Sequence, residues 1–407
     1  MKLGVIKEGK SPPDRRVVLC PNQLNRALTV YNQLDAVVEP SNVRIFVDQQ
    51  YIEHGLKVSP EISDCDVLLG VKEVPVDALI PNKTYIFFSH TIKKQEHNRK
   101  LLQACLKKNI TLMDHETFVD ENNVRLIGFG RYAGIVGAYN TFRAFGLKYE
   151  LFNLAKAETL LHKEDLIYRL KKQYFPPIKI VLTGHGKVAN GAIEILKGMK
   201  VKQVSIEHFL KEKYDCPVFT QIGVEDYYKR IDGAEASKAD FYANPGEYES
   251  NFERFAQAAD VFIAGHFFKK GSPKILTKEM LNSPKNQIKV VGDISCDVDH
   301  GPIDCTVRAS TIADPLYGYH PGKNEEVEFD HPAAITVMAI DNLPCELPKD
   351  ASEGFGEIFV EKILPAFFDG DKDYILERAT ITKDGKLTER YSYLQDFVDE
   401  NEQEERE

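Results

Sequence analysis

The chain has 407 residues, with 62 acidic against 52 basic side chains and a formal net charge of −10. Nucleic acids and acidic membranes are bound through clustered Lys and Arg, and neither the overall sign nor any basic run supplies such a cluster. Hydrophobic residues at 43% and charged ones at 28% are ordinary globular usage, so a buried core is expected, and the length predicts two or three domains.

The start, Met1-Lys2-Leu3-Gly4-Val5-Ile6-Lys7-Glu8, is too charged for a signal peptide. No apolar run reaches the roughly eighteen residues of a membrane span, so a soluble, cytoplasmic protein is expected. Over the first 140 or so residues, short apolar runs alternate with amphipathic stretches, the βαβ rhythm of a mostly parallel sheet. Strands are predicted at 2–6, 43–47, 66–71, 84–88, 110–113 and 124–127, and helices at 22–34 and 94–107. A run from 130 to about 149 has small and apolar residues at helical spacing and is long enough to bridge two domains.

A second alternation follows a charged, helical stretch at 156–173 and the Pro176-Pro177 break. It predicts a strand at 178–182, a helix at 188–199 and a strand at 203–206, with further strands at 261–263 and 289–291. The pattern turns helical at 333–339, and the segment from 340 is expected to return to the first sheet. Residues 399–407 form an acidic tail that holds half of the net negative charge and is expected to be disordered. The expected class is α/β, two Rossmann-like doubly wound domains with the active site in the cleft between them. Residues 1–138 plus 340–398 would form a discontinuous substrate domain and 139–339 a nucleotide domain. The seven cysteines, at 20, 65, 105, 216, 296, 305 and 345, include no C-x-x-C pair. They are expected to be reduced and buried, and no metal site is expected.

The most specific local motif is Thr183-Gly184-His185-Gly186-Lys187-Val188-Ala189, a G-x-G-x-x-A between a predicted strand and a predicted helix. The first glycine permits a tight turn, the second lets the backbone approach a pyrophosphate, and the small third residue lets helix and strand pack closely. Glu207 closes the next predicted strand, where a carboxylate would accept hydrogen bonds from ribose hydroxyls and repel a 2′-phosphate. The expected cofactor is therefore NAD rather than NADP, a preference that Lys202 would soften. Gly184, Gly186, Lys187, Val188, Ala189 and Glu207 are the candidate cofactor-binding residues.

Three amino-terminal segments carry chemistry beyond scaffolding. Asp14-Arg15-Arg16 places guanidinium groups before a helix, Lys72 ends an apolar strand and His90 ends the next. Strand ends of this kind open onto the ligand crevice of a doubly wound sheet, so Lys72 and His90 can share one site as an acid/base pair. Taken singly, a strand-end lysine is ordinarily solvated and a lone histidine satisfies a local hydrogen bond.

The segments R-V-V-L-x-P from Arg16, G-V-K-E-V-P from Gly70, F-F-S-H from Phe87 and F-G-R-Y-A-G from Phe129 together resemble a known family. Ile340-Asp341-Asn342-Leu343-Pro344 and Leu347-Pro348-Lys349-Asp350-Ala351-Ser352 add to the likeness. The chain resembles lysine-forming saccharopine dehydrogenase and the lysine–ketoglutarate reductase half of the bifunctional lysine-degrading enzyme, within the alanine dehydrogenase/transhydrogenase superfamily. The resemblance implies reversible oxidative deamination of saccharopine with NAD to give lysine, 2-oxoglutarate and NADH. It makes Lys72 the base for the secondary amine and His90 the acid/base for water attack and carbinolamine collapse. Arg16, Lys93 and Arg125 would bind substrate carboxylates, Glu73 and Glu116 would tune the pair's charge, and Asp341 would lie near nicotinamide and substrate. A dehydrogenase of a simpler amino acid such as alanine, or a silent NAD(H) sensor, are the alternatives. The stretch 216–255 departs from the family pattern and would cover the cleft or replace part of the substrate pocket.

Overall fold

The computed structural model describes residues 1–9, 11–298 and 300–400. The chain divides into two compact units, Met1–Phe129 with Pro348–Glu407, and Gly130–Leu347. The sequence reading drew these boundaries at 138/139 and 339/340. The difference arises because the helix from Gly130 and the turn at Leu343–Glu346 pack within the second unit.

The first unit opens with β1 (Lys2–Val5), α1 (Pro21–Val30), β2 (Asp35–Val38), β3 (Lys57–Val58), β4 (Val67–Lys72), β5 (Thr84–Phe88), α2 (Arg99–Lys107) and β6 (Thr111–Asp114). Val67 through Val71 are all buried, as expected for a central parallel strand covered on both faces. In α2 the buried positions Leu101, Leu102 and Cys105 lie on one helical face. At the start of α1, Pro21 sits where its missing N–H costs nothing, and Gln23 accepts the Cys20 N–H at 3.1 Å.

Two predicted strands are absent here. Residues 43–47 form bends, in which the buried Arg44 donates to the carbonyls of Phe46 and Glu39. The second strand is instead Asp35–Val38, directly after the helix predicted to end at 34 and assigned no element from the sequence. Residues 124–127 hold only a single bridge, Val119 to Arg125, because Asp120 gathers the N–H groups of Asn122 and Val124 into a turn.

The second unit contains α3 (Gly130–Lys148), β7 (Lys179–Thr183), α4 (Lys187–Gly198), β8 (Lys202–Gln203), β9 (Val218–Ile222), β10 (Val261–Ala264), β11 (Val290–Asp293), β12 (Leu316–His320), β13 (Glu325–Val327) and β14 (Ile335–Met338). Its sheet runs β13-β12-β14-β11-β10-β7-β9-β8. All pairs are parallel except those of β12 with its two neighbours. The 333–339 segment is thus a strand, not a helix. Ile335-Thr336-Val337 is β-branched and wholly buried between β11 and β12, and packing decides what periodicity leaves open. α3 and α4 cross at glycines: a Cβ on Gly134 would fall 1.9 Å from the Val188 carbonyl oxygen, and one on Gly191 2.0 Å from that of Arg131.

The chain then returns to the first unit with α5 (Pro348–Ile358), β15 (Thr380–Lys383) and β16 (Lys386–Leu387). Ser352 Oγ accepts the Val17 N–H at 2.9 Å, and β15 pairs antiparallel with β6. The completed sheet is β16-β15-β6-β5-β4-β1-β2-β3. Asp399 ends a short helix, Gln395–Asp399, and Glu400 pairs with Arg99. The rest of the predicted tail, 401–407, lies outside the described residues.

No disulfide joins the seven cysteines, but Cys216 is exposed and Cys296 and Cys345 are half-buried rather than buried. No helix among the described residues is long and apolar enough to cross a membrane.

Candidate functional site

In the first unit, three consecutive residues at the end of β6 organise the ends of the two strands beside it. Asp114, fully buried, accepts from Ser89 N (2.9 Å), Ser89 Oγ (2.6 Å) and His90 N (2.9 Å) through Oδ2, and from Glu116 N (2.7 Å) through Oδ1. These bonds hold His90 at φ 54°, a left-handed conformation uncommon for a side-chain-bearing residue. His115 is buried among Phe88, Phe118 and Phe355, and burial depresses its pKa to about 3. The neutral ring therefore donates from Nε2 to the Gly70 carbonyl at 2.9 Å. Glu116 Oε2 lies 3.1 Å from His90 Nδ1.

Two cations share the same carboxylate. Lys93 Nζ is 3.2 Å and Arg125 Nη1 3.4 Å from Glu116 Oε1, and Arg125 also lies over the Phe88 ring. Burial opposes ionisation of Glu116, but the His90 hydrogen bond and the charges of Lys93 and Arg125 prevail and hold its pKa at about 2. Lys93 Nζ also lies 3.2 Å from His90 Nδ1. That nitrogen consequently has a partner in either state: protonated, it donates to Glu116, and bare, it accepts from Lys93.

The structure thus brings His90, Lys93, Glu116 and Arg125 together. Lys72 ends β4, the neighbour of β5 whose end carries His90, and both Lys72 and Glu73 are half-buried. Arg16 is placed differently from expectation. It is buried, stacks on Phe129 at 4.2 Å, and commits its Nε and Nη2 to Asp14 at 3.0 and 2.6 Å. A guanidinium edge already paired with a carboxylate is not open to a substrate carboxylate. Sequence reasoning missed Asp114, whose role rests on backbone N–H groups that no spacing reveals.

In the second unit, the glycine turn opens a cavity of about 290 Å³, lined by residues of the turn, by Gly223–Glu225, and by Lys238, Tyr242 and His266. Gly184 takes φ +95°, and a Cβ there would fall 2.6 Å from the Gly265 carbonyl oxygen. A Cβ on Gly186 would meet nothing within 4 Å, so this glycine leaves open the space before the amino end of α4, a position that favours an anion. Gly184, Gly186, Lys187 and Val188 line the cavity, and Ala189 packs beneath Gly265, as a small third residue should. His266 bonds Thr183 Oγ1 through Nδ1 at 2.7 Å, and burial lowers its pKa to about 3.

Glu207 does not line this cavity. It is exposed on the helix Ile206–Lys211, paired with Lys211 at 2.9 Å. The reason is strand order: the neighbour of β7 is β9, while β8 lies at the sheet edge. The carboxylate beyond the end of β9 is Glu225, which accepts the Lys238 N–H at 2.9 Å. Its Oε2, like His185 Nε2, lies 3.1 Å from where a Gly223 Cβ would sit. The unmatched 216–255 stretch also belongs here. Its hairpin, Tyr228–Arg230 with Tyr248–Ser250, is locked by Arg230 to Asp232 and Glu247, and the helix inside it, Lys238–Ala243, supplies Lys238 and Tyr242 to the cavity wall.

Asp341 follows β14, exposed. Near β11, Asp297 has its pKa raised to about 6, first by burial and then by the charge of Asp293.

These features define a protein of two Rossmann-like α/β units, one with a cluster of titratable side chains at its strand ends and the other with a glycine-turn cavity. The family "Alanine dehydrogenase/PNT, N-terminal domain" matches residues 4–136. An alpha-aminoadipic semialdehyde synthase of Arabidopsis thaliana is 31% identical over 96% of this chain and 41% of its own length. The lysine-forming, NAD(+) saccharopine dehydrogenase of Yarrowia lipolytica is 25% identical over 89% of this chain and 92% of its own. An L-alanine dehydrogenase structure shares the fold with a TM-score of 0.64 and 16% identity, over 98% of this chain and 99% of that one. A transhydrogenase from Sinorhizobium meliloti does so with a TM-score of 0.58 and 16% identity, over 95% and 99%. The chain spans less than half the length of the semialdehyde synthases it matches. Residues 4–136 thus carry the amino-terminal domain of the alanine dehydrogenase/PNT family, and the chain as a whole is similar to saccharopine dehydrogenases and semialdehyde synthases.

Proposed function

We propose that the chain is an NAD-dependent oxidoreductase acting on a CH–NH bond, with saccharopine, NAD⁺ and water giving L-lysine, 2-oxoglutarate and NADH reversibly. The observation that carries this reading is the double partnership of His90 Nδ1 with Glu116 and Lys93, which accommodates the imidazole with and without its proton. An acid/base residue that must both give and take a proton needs such a site.

The second unit fits NAD. The open Gly186, the amino end of α4 and the Glu225 carboxylate supply room for a diphosphate and an acceptor for ribose hydroxyls. Bound there, NAD⁺ would accept the hydride from the substrate carbon. Glu225 disfavours a 2′-phosphate, while Lys238 in the same cavity works against that preference. In the first unit, Lys72 takes the proton of the secondary amine as the carbon is oxidised. His90 then removes a proton from water attacking the imine and returns one as the carbinolamine collapses to lysine and 2-oxoglutarate. Lys93 and Arg125, two cations against the single carboxylate of Glu116, leave positive charge for substrate carboxylates.

The test is NADH oxidation with lysine plus 2-oxoglutarate against pyruvate plus ammonium. The first pair is expected to turn over much faster. A faster rate with pyruvate would replace saccharopine by alanine chemistry, and NADH binding without turnover of either pair would leave a sensor.

A further inference from the structure

We infer that Glu8 and His115 are positioning residues that clamp a bulge in β4 from both sides and thereby set where Lys72 presents its amine. The inference rests on the proposal that Lys72 is the base.

The bulge is visible in the pairing of β4 with β5. Leu69 pairs with Ile86, but the next pair is Lys72 with Phe88, so β4 carries one residue more than its partner between these points. A bulge of this kind re-aims the side chain that follows it. On the other side of β4, β1 pairs as far as Val5 with Leu69, and the Ile6 N–H still reaches the Leu69 carbonyl. Beyond that point β1 no longer supplies acceptors. The Glu8 side chain takes its place, one carboxylate oxygen accepting the Val71 N–H at 2.7 Å and the other the Lys72 N–H at 2.8 Å. Gly70, inside the bulge, has no room for a side chain, since a Cβ there would lie 3.0 Å from Ile6. Its carbonyl is held by His115 Nε2.

The two successive peptide groups that join Gly70 to Val71 and Val71 to Lys72 are therefore held by two side chains distant in sequence, the first of them at both its carbonyl and its N–H. Because His115 directly precedes Glu116, the segment that holds His90 also holds the bulge before Lys72. The charged groups that act on the Glu8 carboxylate are Asp14 and Arg16, and burial raises its pKa to about 7.

The experiment compares E8Q, E8D, H115F and H115N with wild type and K72M. Each is assayed for the pH dependence of kcat/KM, for kcat, and for NADH affinity by fluorescence, with thermal melting as a check on folding. The limb of the profile that K72M abolishes reports the Lys72 proton. In E8Q an amide N–H₂ faces a backbone N–H, so this limb is expected to move and kcat to fall about 10- to 100-fold, the scale of a small misplacement of a reacting group. NADH affinity should not change. E8D, still an acceptor, should recover part of the loss. H115N, still a donor, should outperform H115F. If E8Q and H115F keep kcat within about twofold and the limb stays in place, the clamp is refuted. If E8Q does not fold, the ordering of E8D, H115N and H115F decides in its place, and equal activity in all three refutes it. If K72M itself turns over normally, Lys72 is not the base, an outcome distinct from failure of the clamp.

Discussion

The two units treat the carboxyl ends of their strands in opposite ways. In the first, strand ends are filled with side chains that bond one another: Asp114 fixes Ser89 and His90, and Glu116 draws in His90, Lys93 and Arg125. In the second, the end of β7 is glycine and space, with the carboxylate at the rim contributed by the neighbouring β9 segment. A group that must move a proton needs its surroundings fixed before the substrate arrives, whereas a backbone cradle for an anion needs side chains kept out. The contrast extends to buried carboxyls. Glu116, with cations around it, is held near pKa 2, while Glu346, which accepts from the neutral Asn140 amide at 2.8 Å, is raised by burial to about 7.

The strongest test of this division is to strike each unit and read the other's property. K72M should lower kcat about 10²- to 10⁴-fold, the usual contribution of a positioned acid or base, and leave NADH affinity intact in a binding titration. G186V should do the reverse at the level of binding: a side chain in open space costs the fold little but fills the cradle, so NADH affinity should drop about 100-fold with an unchanged melting temperature. Unchanged affinity would remove the glycine turn from the nucleotide site. E225Q should weaken NADH about tenfold and narrow its advantage over NADPH, whereas E207Q should match wild type in the same titration.

The smallest effect concerns pH and separates the two carboxyls by sign. Glu116 has a lowered pKa, so its stabilisation is present above about pH 4.5 and lost as pH falls toward 2. Glu346 has a raised pKa, so the folded state holds its proton more tightly, and its contribution is full below about 4.5 and lost as pH rises through 7. E346Q keeps an acceptor for Asn140 and removes the charge. It should be more stable than wild type by about 1 kcal/mol at pH 8, with the gain vanishing near pH 4 in denaturant titrations. A gain equal at both pH values would show that ionisation of Glu346 is not the cause.

Parts of the candidate site are legible in the sequence alone. Lys72 and His90 stood out because a charged or titratable residue ended an otherwise apolar strand, and the glycine turn stood out because three small residues sat between a strand and a helix. Glu207 was misplaced because spacing counts residues along the chain, whereas the ribose acceptor depends on which strand lies beside β7, and here that strand is β9. Arg16 was read as an open cation because its charge is visible in sequence and its burial against Phe129 and Asp14 is not. The strand at 335–338 was read as helix because a short apolar run satisfies both periods.

The return of the chain after residue 347 carries a consequence for synthesis. The strand that covers the β6 edge begins at Thr380, so at roughly 5–20 residues per second the ribosome needs on the order of tens of seconds to deliver it after β6 has been made. Within that interval the second unit, uninterrupted in sequence, is made and completed at residue 347, while the first unit is left with an open sheet edge. The segment that completes the first sheet is therefore among the last to be made, and a truncated product that stops near residue 347 would have the second unit entire beside an incomplete first one.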